Sequence, residues 1–185
     1  MSLSYIFKKI HIYSNEDTDL DLYNGYQSFD INRVRDLILL LSQGSILKTK
    51  LLKEMFYTDQ LYFKHTTVSL TGTTYYKFQY GPVPNHYEDI LEYLIRNDYI
   101  EEIVKVDVDY ECHIIKPKRR IKHTSLSKEE INFVNQIKDY FKDFSVKDIV
   151  EYSHKEKAFT ETKMYQKISY NYSFDIDDEK MHLTI

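Results

Sequence analysis

Residues 47–64 read as one amphipathic helix whose apolar stripe contains a carboxylate, and that combination dictates much of what the rest of the chain must build. Leu51, Leu52, Met55, Phe56, Tyr62 and Phe63 recur at spacings of three, four and seven, the period of a single helix face. Asp59 stands three or four residues from Met55, Phe56, Tyr62 and Phe63, so the same period turns its side chain toward the interior. A buried carboxylate costs several kcal/mol unless hydrogen bonds or a counter-charge satisfy it. The donors are expected in residues 71–80, as backbone N–H groups or a phenol, so that Asp59 anchors that segment to the helix.

The anchored segment has its own constraints. Gly72 marks a turn in Ser69-Leu70-Thr71-Gly72, and the β-branched and aromatic run from Thr73 to Tyr80 reads as a short strand. Gly81-Pro82-Val83-Pro84 ends it. Two prolines fix two φ angles and push the residues before them toward extended geometry, so this stretch is expected as a stiff loop that cannot continue a helix or pair centrally in a sheet. Asn85, with Glu88 three residues on, reads as the capping box of a helix burying Tyr87, Ile90, Leu91, Leu94 and Ile95.

The flanking elements are read in the same way. Asp30 caps a helix to about Ser42 with Ile31, Val34, Leu37, Ile38 and Leu41 on one face and Gly44 as its stop signal. Alternation of Ile103, Lys105 and Asp107 against Val104, Val106 and Val108 predicts a hairpin turning near Asp107-Val108-Asp109. Ser127 with Glu130 caps a helix over residues 128–144, with Leu126 and Ile131 placed as a staple, and Ser145 with Asp148 starts a short helix to about His154. After Tyr165, Ile168, Tyr170, Tyr172 and Phe174 alternate like an edge strand, and the acidic end from Asp175 to Glu179 reads as frayed. The fold expected is α+β: a mainly helical single domain with a short antiparallel β-hairpin or sheet and a winged-helix-like order of elements. Residues 1–29 read as an arm or linker, 30–165 as the domain and 166–185 as a partly extended tail.

Charge and cysteine content narrow the function classes. A formal charge of −4 gives no global attraction to nucleic acid or anionic lipid. The basic run from Lys116 to His123 is the local exception, and reads mainly as a solvated linker. The lone Cys112 cannot close an internal disulfide, no Cys/His spacing suggests zinc, and a reducing cytoplasm is the expected compartment. The longest apolar run, residues 37–41, is far short of the roughly 18 residues a membrane span requires, and no signal-peptide core opens the chain.

Several motifs could carry chemistry or recognition. His154-x-Glu156 can be drawn as an acid/base or metal pair, but its place near a helix end favours a structural role. Asp59 could be a desolvated general base, yet no nucleophile, metal cluster or phosphate loop accompanies it, so it reads as an anchor. Lys50 and Tyr57, seven residues apart on one helix face, lie near the proline segment. Tyr75, Tyr80 and Tyr87 flank that segment, and tyrosine is enriched at binding hot spots. The candidate partner contact is therefore Lys50, Tyr57, Tyr75, Tyr80, Gly81, Pro82, Val83, Pro84 and Tyr87, with Asp59, Gly72, His154, Glu156 and Phe159 as anchors and no cofactor, metal or catalytic group.

Five pieces in order carry a family resemblance: Lys50-Leu51-Leu52 leading to Phe56-Tyr57-Thr58-Asp59; Ser69-Leu70-Thr71-Gly72 with Tyr75; Gly81-Pro82-Val83-Pro84 with Tyr87; Leu126-Ser127; and Ser153-His154-Lys155-Glu156-Lys157-Ala158-Phe159. Over about residues 24–165 the chain resembles the Panacea domain of SocA-like antitoxins. It departs from that pattern at Glu54, Thr58, Gln60 and Phe159. The resemblance implies a non-enzymatic module that neutralises a cognate toxin, encoded beside it, by direct protein binding. Two other classes stay open at this point. A winged-helix-like nucleic-acid regulator fits the order of elements, though Glu88, Asp89 and Glu92 against Arg96 would repel phosphates. An enzyme built on Asp59 is the other.

Overall fold

The structure, a computed structural model, describes residues 19–106, 111–119 and 124–185. Residues 1–18 of the expected arm, the turn at Asp107-Val108-Asp109 and the end of the basic run, residues 120–123, lie outside the described residues.

The chain builds α1 (Ile31–Leu41), β1 (Ile46–Leu47), α2 (Lys48–Thr66), β2 (Tyr75–Phe78), β3 (Gly81–Pro84), α3 (Tyr87–Arg96), β4 (Ile100–Val106), β5 (Glu111–Pro117), α4 (Lys128–Phe141), α5 (Val146–Lys155), α6 (Lys157–Thr160) and β6 (Lys167–Ile168), with 3-10 turns at Tyr170–Asp175 and Glu179–Met181. Two small antiparallel sheets result, in the orders β1-β5-β4 and β3-β2-β6. Setting β2 and β3 aside, α1, β1, α2, α3, β4 and β5 follow the winged-helix-like order, and the mixed α+β class holds.

Side-chain caps explain three of the six α-helix starts among the described residues. Asp30 Oδ1 accepts from the Asn32 and Arg33 N–H groups. Ser127 with Glu130 and Ser145 with Asp148 each form a full capping box. The expected box at Asn85 is absent. His86, at φ 53° in the left-handed region, is the residue before α3 and contributes no side-chain cap. The Asn85 N–H that such a box would give to Glu88 is bonded to Thr74 O instead.

Helix α2 is the axis of the molecule. Every residue from Leu51 to Leu61 is buried, so the helix shows no solvent face over that stretch, where a one-sided stripe was expected. One side packs into an aliphatic cluster that includes Leu37, Ile38 and Leu41 of α1, Leu94 of α3, Ile100 of β4 and Ile115 of β5. The other side packs into an aromatic cluster of Phe56, Tyr57, Tyr75, Phe133, Phe141 and Tyr170. Each such side chain stabilises the fold by about 1.5–3 kcal/mol on burial. Glu130 ties three helices together, accepting from Arg33 of α1 and Tyr62 of α2 while it caps its own helix, α4.

Both ends of the described residues pack as well. Ser69 Oγ donates to Asn24 O and Ser69 N–H to Gly25 O, so residues 19–29 lie on the body. Beyond Tyr165 the expected long edge strand is only two residues, pairing Tyr75 with Ile168 and Tyr76 with Lys167. Residues Tyr170–Asp175 then turn as a 3-10 helix, which buries Tyr170 where its hydroxyl donates to Thr73 O. Further on, Met181 is buried and Asp178 pairs with Lys64 and His65, so the acidic end is tied down rather than frayed. Among the described residues, no helix is long and apolar enough to cross a membrane.

Candidate interaction site

The β2–β3 hairpin is held to α2 at two points. Asp59, with 0% exposure, accepts from Thr71 N–H at 2.9 Å, from the Thr71 hydroxyl at 2.6 Å and from the Tyr75 hydroxyl at 2.7 Å. Burial pushes its carboxyl up to about 6, and the bonds from Thr71 and Tyr75 oppose that rise. Its oxygens are sealed from solvent and occupied by these donors. Three residues before β2 begins, Gly72 turns at φ 74°, and a Cβ there would stand 2.3 Å from Ser28 O. No other residue fits that crossing.

The second point is Lys53. It is 1% exposed, and its ammonium nitrogen donates to Pro82 O at 2.7 Å. Burial lowers its pKa to about 7. Gly81, at φ 98°, is packed against it so closely that a Cβ would meet Lys53 Cε at 2.8 Å and Ser153 Oγ at 2.7 Å. Sequence reasoning missed Lys53 because a lysine in an amphipathic helix is ordinarily a solvent residue.

The anchors at the C-terminal end converge on the same hairpin. Lys77 Nζ donates to Phe159 O and Thr162 O and sits over the Phe159 ring at 4.1 Å. The His154 ring stacks on the same Phe159 ring at 4.1 Å and 10°. The Tyr57 hydroxyl donates to Glu156 at 3.2 Å. Burial raises the Glu156 carboxyl to about 7 and lowers the His154 pKa, with the charges of Lys53 and Lys77 adding to the latter. Among the described residues, no group of three or more His, Cys, Asp or Glu could hold a metal ion.

The surface that this framework presents differs from the expected contact set. Tyr57 and Tyr75 are fully buried, their hydroxyls spent on Glu156 and Asp59, so neither reaches a partner. Lys50 donates to Lys142 O and Phe144 O, stopping the end of α4 with a cation. Gly81, Pro82, Val83 and Pro84 are buried and form β3, an edge strand paired with β2, where an exposed loop was expected. Proline is tolerated there because an edge strand needs donors on one side only. Tyr80, at 66% exposed, and the half-buried Tyr87 remain at the surface.

What the hairpin does expose is an aromatic ridge beside a groove. Phe78, Tyr80, Met164 and Tyr165 are 41%, 66%, 43% and 67% exposed, and Phe78 meets Tyr165 edge to face at 5.4 Å. The ridge is fixed by the backbone, since Tyr165 N–H donates to Lys77 O and Lys77 N–H to Gln166 O. Beside it lies a groove of about 740 Å³ whose lining includes Tyr76, Phe78, Tyr165 and Lys167 together with Pro84, His86, Tyr87, Glu88 and Asp89. Tyr76 and Phe78 were legible: with Tyr75 turned inward, the strand period of two puts them together on the outer face. Tyr165 was not, because only chain pairing with Lys77 brings it alongside.

The would-be DNA-reading helix α3 keeps Glu88 and Asp89 in its first turn, and Arg96 is engaged by Glu92 at 2.7 Å. In the basic run, Lys116 pairs with Glu101 and Lys118 with Asp98.

Comparison with protein families finds a match to the model described as antitoxin SocA-like, Panacea domain, over residues 51–159, more than half of the chain. Comparisons with curated proteins and with solved structures find no match.

Proposed function

The chain belongs to the SocA-like antitoxin family that carries the Panacea domain, and on that premise we propose that it neutralises a cognate toxin by direct, stoichiometric protein binding rather than by catalysis. The toxin would be the product of a neighbouring gene, and the encounter would take place in the cytoplasm. The observation that carries this reading is the exposed ridge of Phe78 and Tyr80, with Tyr165 laid beside them, on a hairpin fixed from behind by Asp59 and Lys53. Aromatic side chains supply large contact area with few torsions to freeze, and a backbone already ordered loses little freedom on binding. The contact is drawn around the ridge and the groove beside it, with Tyr80 and Tyr87 kept from the sequence-based set and Phe78 and Tyr165 added.

The test is co-expression. A neighbouring open reading frame that arrests growth alone should be tolerated when this chain is produced with it, and the two proteins should co-purify at a fixed ratio. Phe78→Asp and Tyr165→Asp chains that still fold should lose both rescue and co-purification. Rescue that survived both substitutions would move the contact elsewhere. A neighbouring product without toxicity, or toxicity the chain cannot relieve, would end the reading.

A further inference from the structure

We propose that the outer edge of β4 is a self-association surface, on which a second copy of this chain adds its own β4 antiparallel across a two-fold axis at Ile103. The sheet edges are not equivalent. An unpaired strand edge is a template for another chain unless it is short, interrupted by proline or covered. Here β1 and β6 have two residues each, and β3 carries Pro82 and Pro84. In contrast, β4 runs seven residues without proline, Ile100, Ile103, Val104 and Val106 are β-branched, and no strand lies on its outer side among the described residues. Ile103, Val104 and Val106 are 38%, 48% and 78% exposed.

The occupant follows from the sequence of the edge itself. Antiparallel pairing about Ile103 sets Ile103 opposite its own copy, Glu101 opposite Lys105, Glu102 opposite Val104 and Ile100 opposite Val106. Every charge on the solvent face then meets its opposite or none. Glu101 already pairs with Lys116 at 3.3 Å across β5, so joining the sheets extends a row of alternating charge. In the row beside it, Ile114 faces Ile103 within one copy, and the axis doubles that pair into a ladder of four isoleucines. Cross-strand pairs of both kinds are the units that stabilise sheets, and identical patches meeting about a two-fold are the commonest closed assembly. A contact of one strand edge is small compared with stable interfaces, so the dimer is expected to be concentration-dependent.

Sedimentation velocity over a concentration series decides it. The wild-type chain should move from 22.3 kDa toward twice that mass as concentration rises. Lys105→Glu, which sets two pairs of carboxylates face to face, should weaken association about tenfold or more, and Glu101→Lys combined with Lys105→Glu should restore it. Both positions are on the surface, and an unchanged thermal melt certifies the fold of each variant. In a Cys112→Ser background, Ile103→Cys should form an oxidised dimer and Val104→Cys should not. A monomer at every concentration overturns the proposal, as does a dimer indifferent to the charge reversal or one that Ile103→Cys fails to cross-link. A dimer that forms only through the Phe78 and Tyr165 ridge, lost on Tyr165→Asp, also overturns it.

Discussion

Lys53 reaches Pro82 O at 2.7 Å from the interior of α2, so the proline strand is held by a buried amine that has no carboxylate partner among the described residues. The Lys53 pKa falls from 10.5 to about 7 through burial. Between those values the unfolded chain binds the proton that the folded chain has released, so stability rises with pH across that window, and below it the penalty of the buried charge is fully present. The carboxyls run the other way. Burial raises Glu54 and Glu156 to about 7 and Asp59 to about 6, so the folded chain holds protons that the unfolded chain has lost, and stability falls as pH climbs toward neutrality. Together these groups place a stability minimum near pH 7. Chemical denaturation at acidic, neutral and alkaline pH should trace that minimum, and Lys53→Met should flatten most of the alkaline rise while leaving the acid limb. A wild-type chain most stable at neutral pH would contradict it.

Two glycines in the left-handed region should respond very differently to alanine. Gly44, at φ 86°, has nothing within 4 Å of a Cβ, so Gly44→Ala should cost only the backbone strain, about 1–2 kcal/mol. Gly72→Ala adds a Cβ 2.3 Å from Ser28 O, a backbone atom that cannot step aside without breaking the Asp30 N–H to Thr71 O bond beside it. It should cost well over twice as much, or leave little folded protein. Urea midpoints for the pair separate strain from collision.

How legible this was depended on whether a residue's environment is set by its own element or by a distant one. Helix periods, the caps at Asp30, Ser127 and Ser145, and the inward turn of Asp59 are local, and they could be read directly. Lys53 and the Phe78–Tyr165 ridge were hidden because each depends on chain far away: Pro82 supplies the acceptor 29 residues on, and Tyr165 is laid beside β2 by its own bond to Lys77. Tyr57 and Lys50 misled for the same reason. They share a helix face, but α4 and α5 cover that face, and a helical period cannot say which neighbour arrives. The alternation after Tyr165 signalled a strand, yet the Tyr170 hydroxyl's bond to Thr73 O goes with a tight turn that period alone does not reveal.

Asp59 permits a graded test of anchoring. Asp59→Ala leaves Thr71 N–H, the Thr71 hydroxyl and the Tyr75 hydroxyl without their shared acceptor, and should destabilise by about 2–5 kcal/mol. Asp59→Asn keeps one oxygen acceptor but turns an amide N–H toward donors, so a smaller loss, about 1–3 kcal/mol, is expected. Toxin capture should fall in the same order, since the hairpin bearing the ridge is what comes loose. If the asparagine variant matched the wild-type chain in both melting and capture, the anchoring role would fail.

The contact residues separate from the core residues by what each substitution changes. Phe78 and Tyr165 are exposed and meet each other edge to face at 5.4 Å, a pairing worth about 0.5–1.5 kcal/mol. Phe78→Ala and Tyr165→Ala should therefore shift stability by no more than about that amount, while each weakens toxin capture about tenfold or more if the ridge is a hot spot. Their double-mutant cycle should be non-additive, because removing either ring strips the other of its partner. Tyr57→Phe is the counter-case. It removes only the hydroxyl donated to Glu156 from a side chain with 0% exposure, so it should lower the melting point by a few degrees, the shift expected from about 1 kcal/mol, and leave capture by the folded protein unchanged. Titrating purified toxin against all three variants at a temperature where each is folded would settle the assignment; equal loss of capture for Tyr57→Phe and Tyr165→Ala would place the contact on the α2–α5 face instead of the ridge.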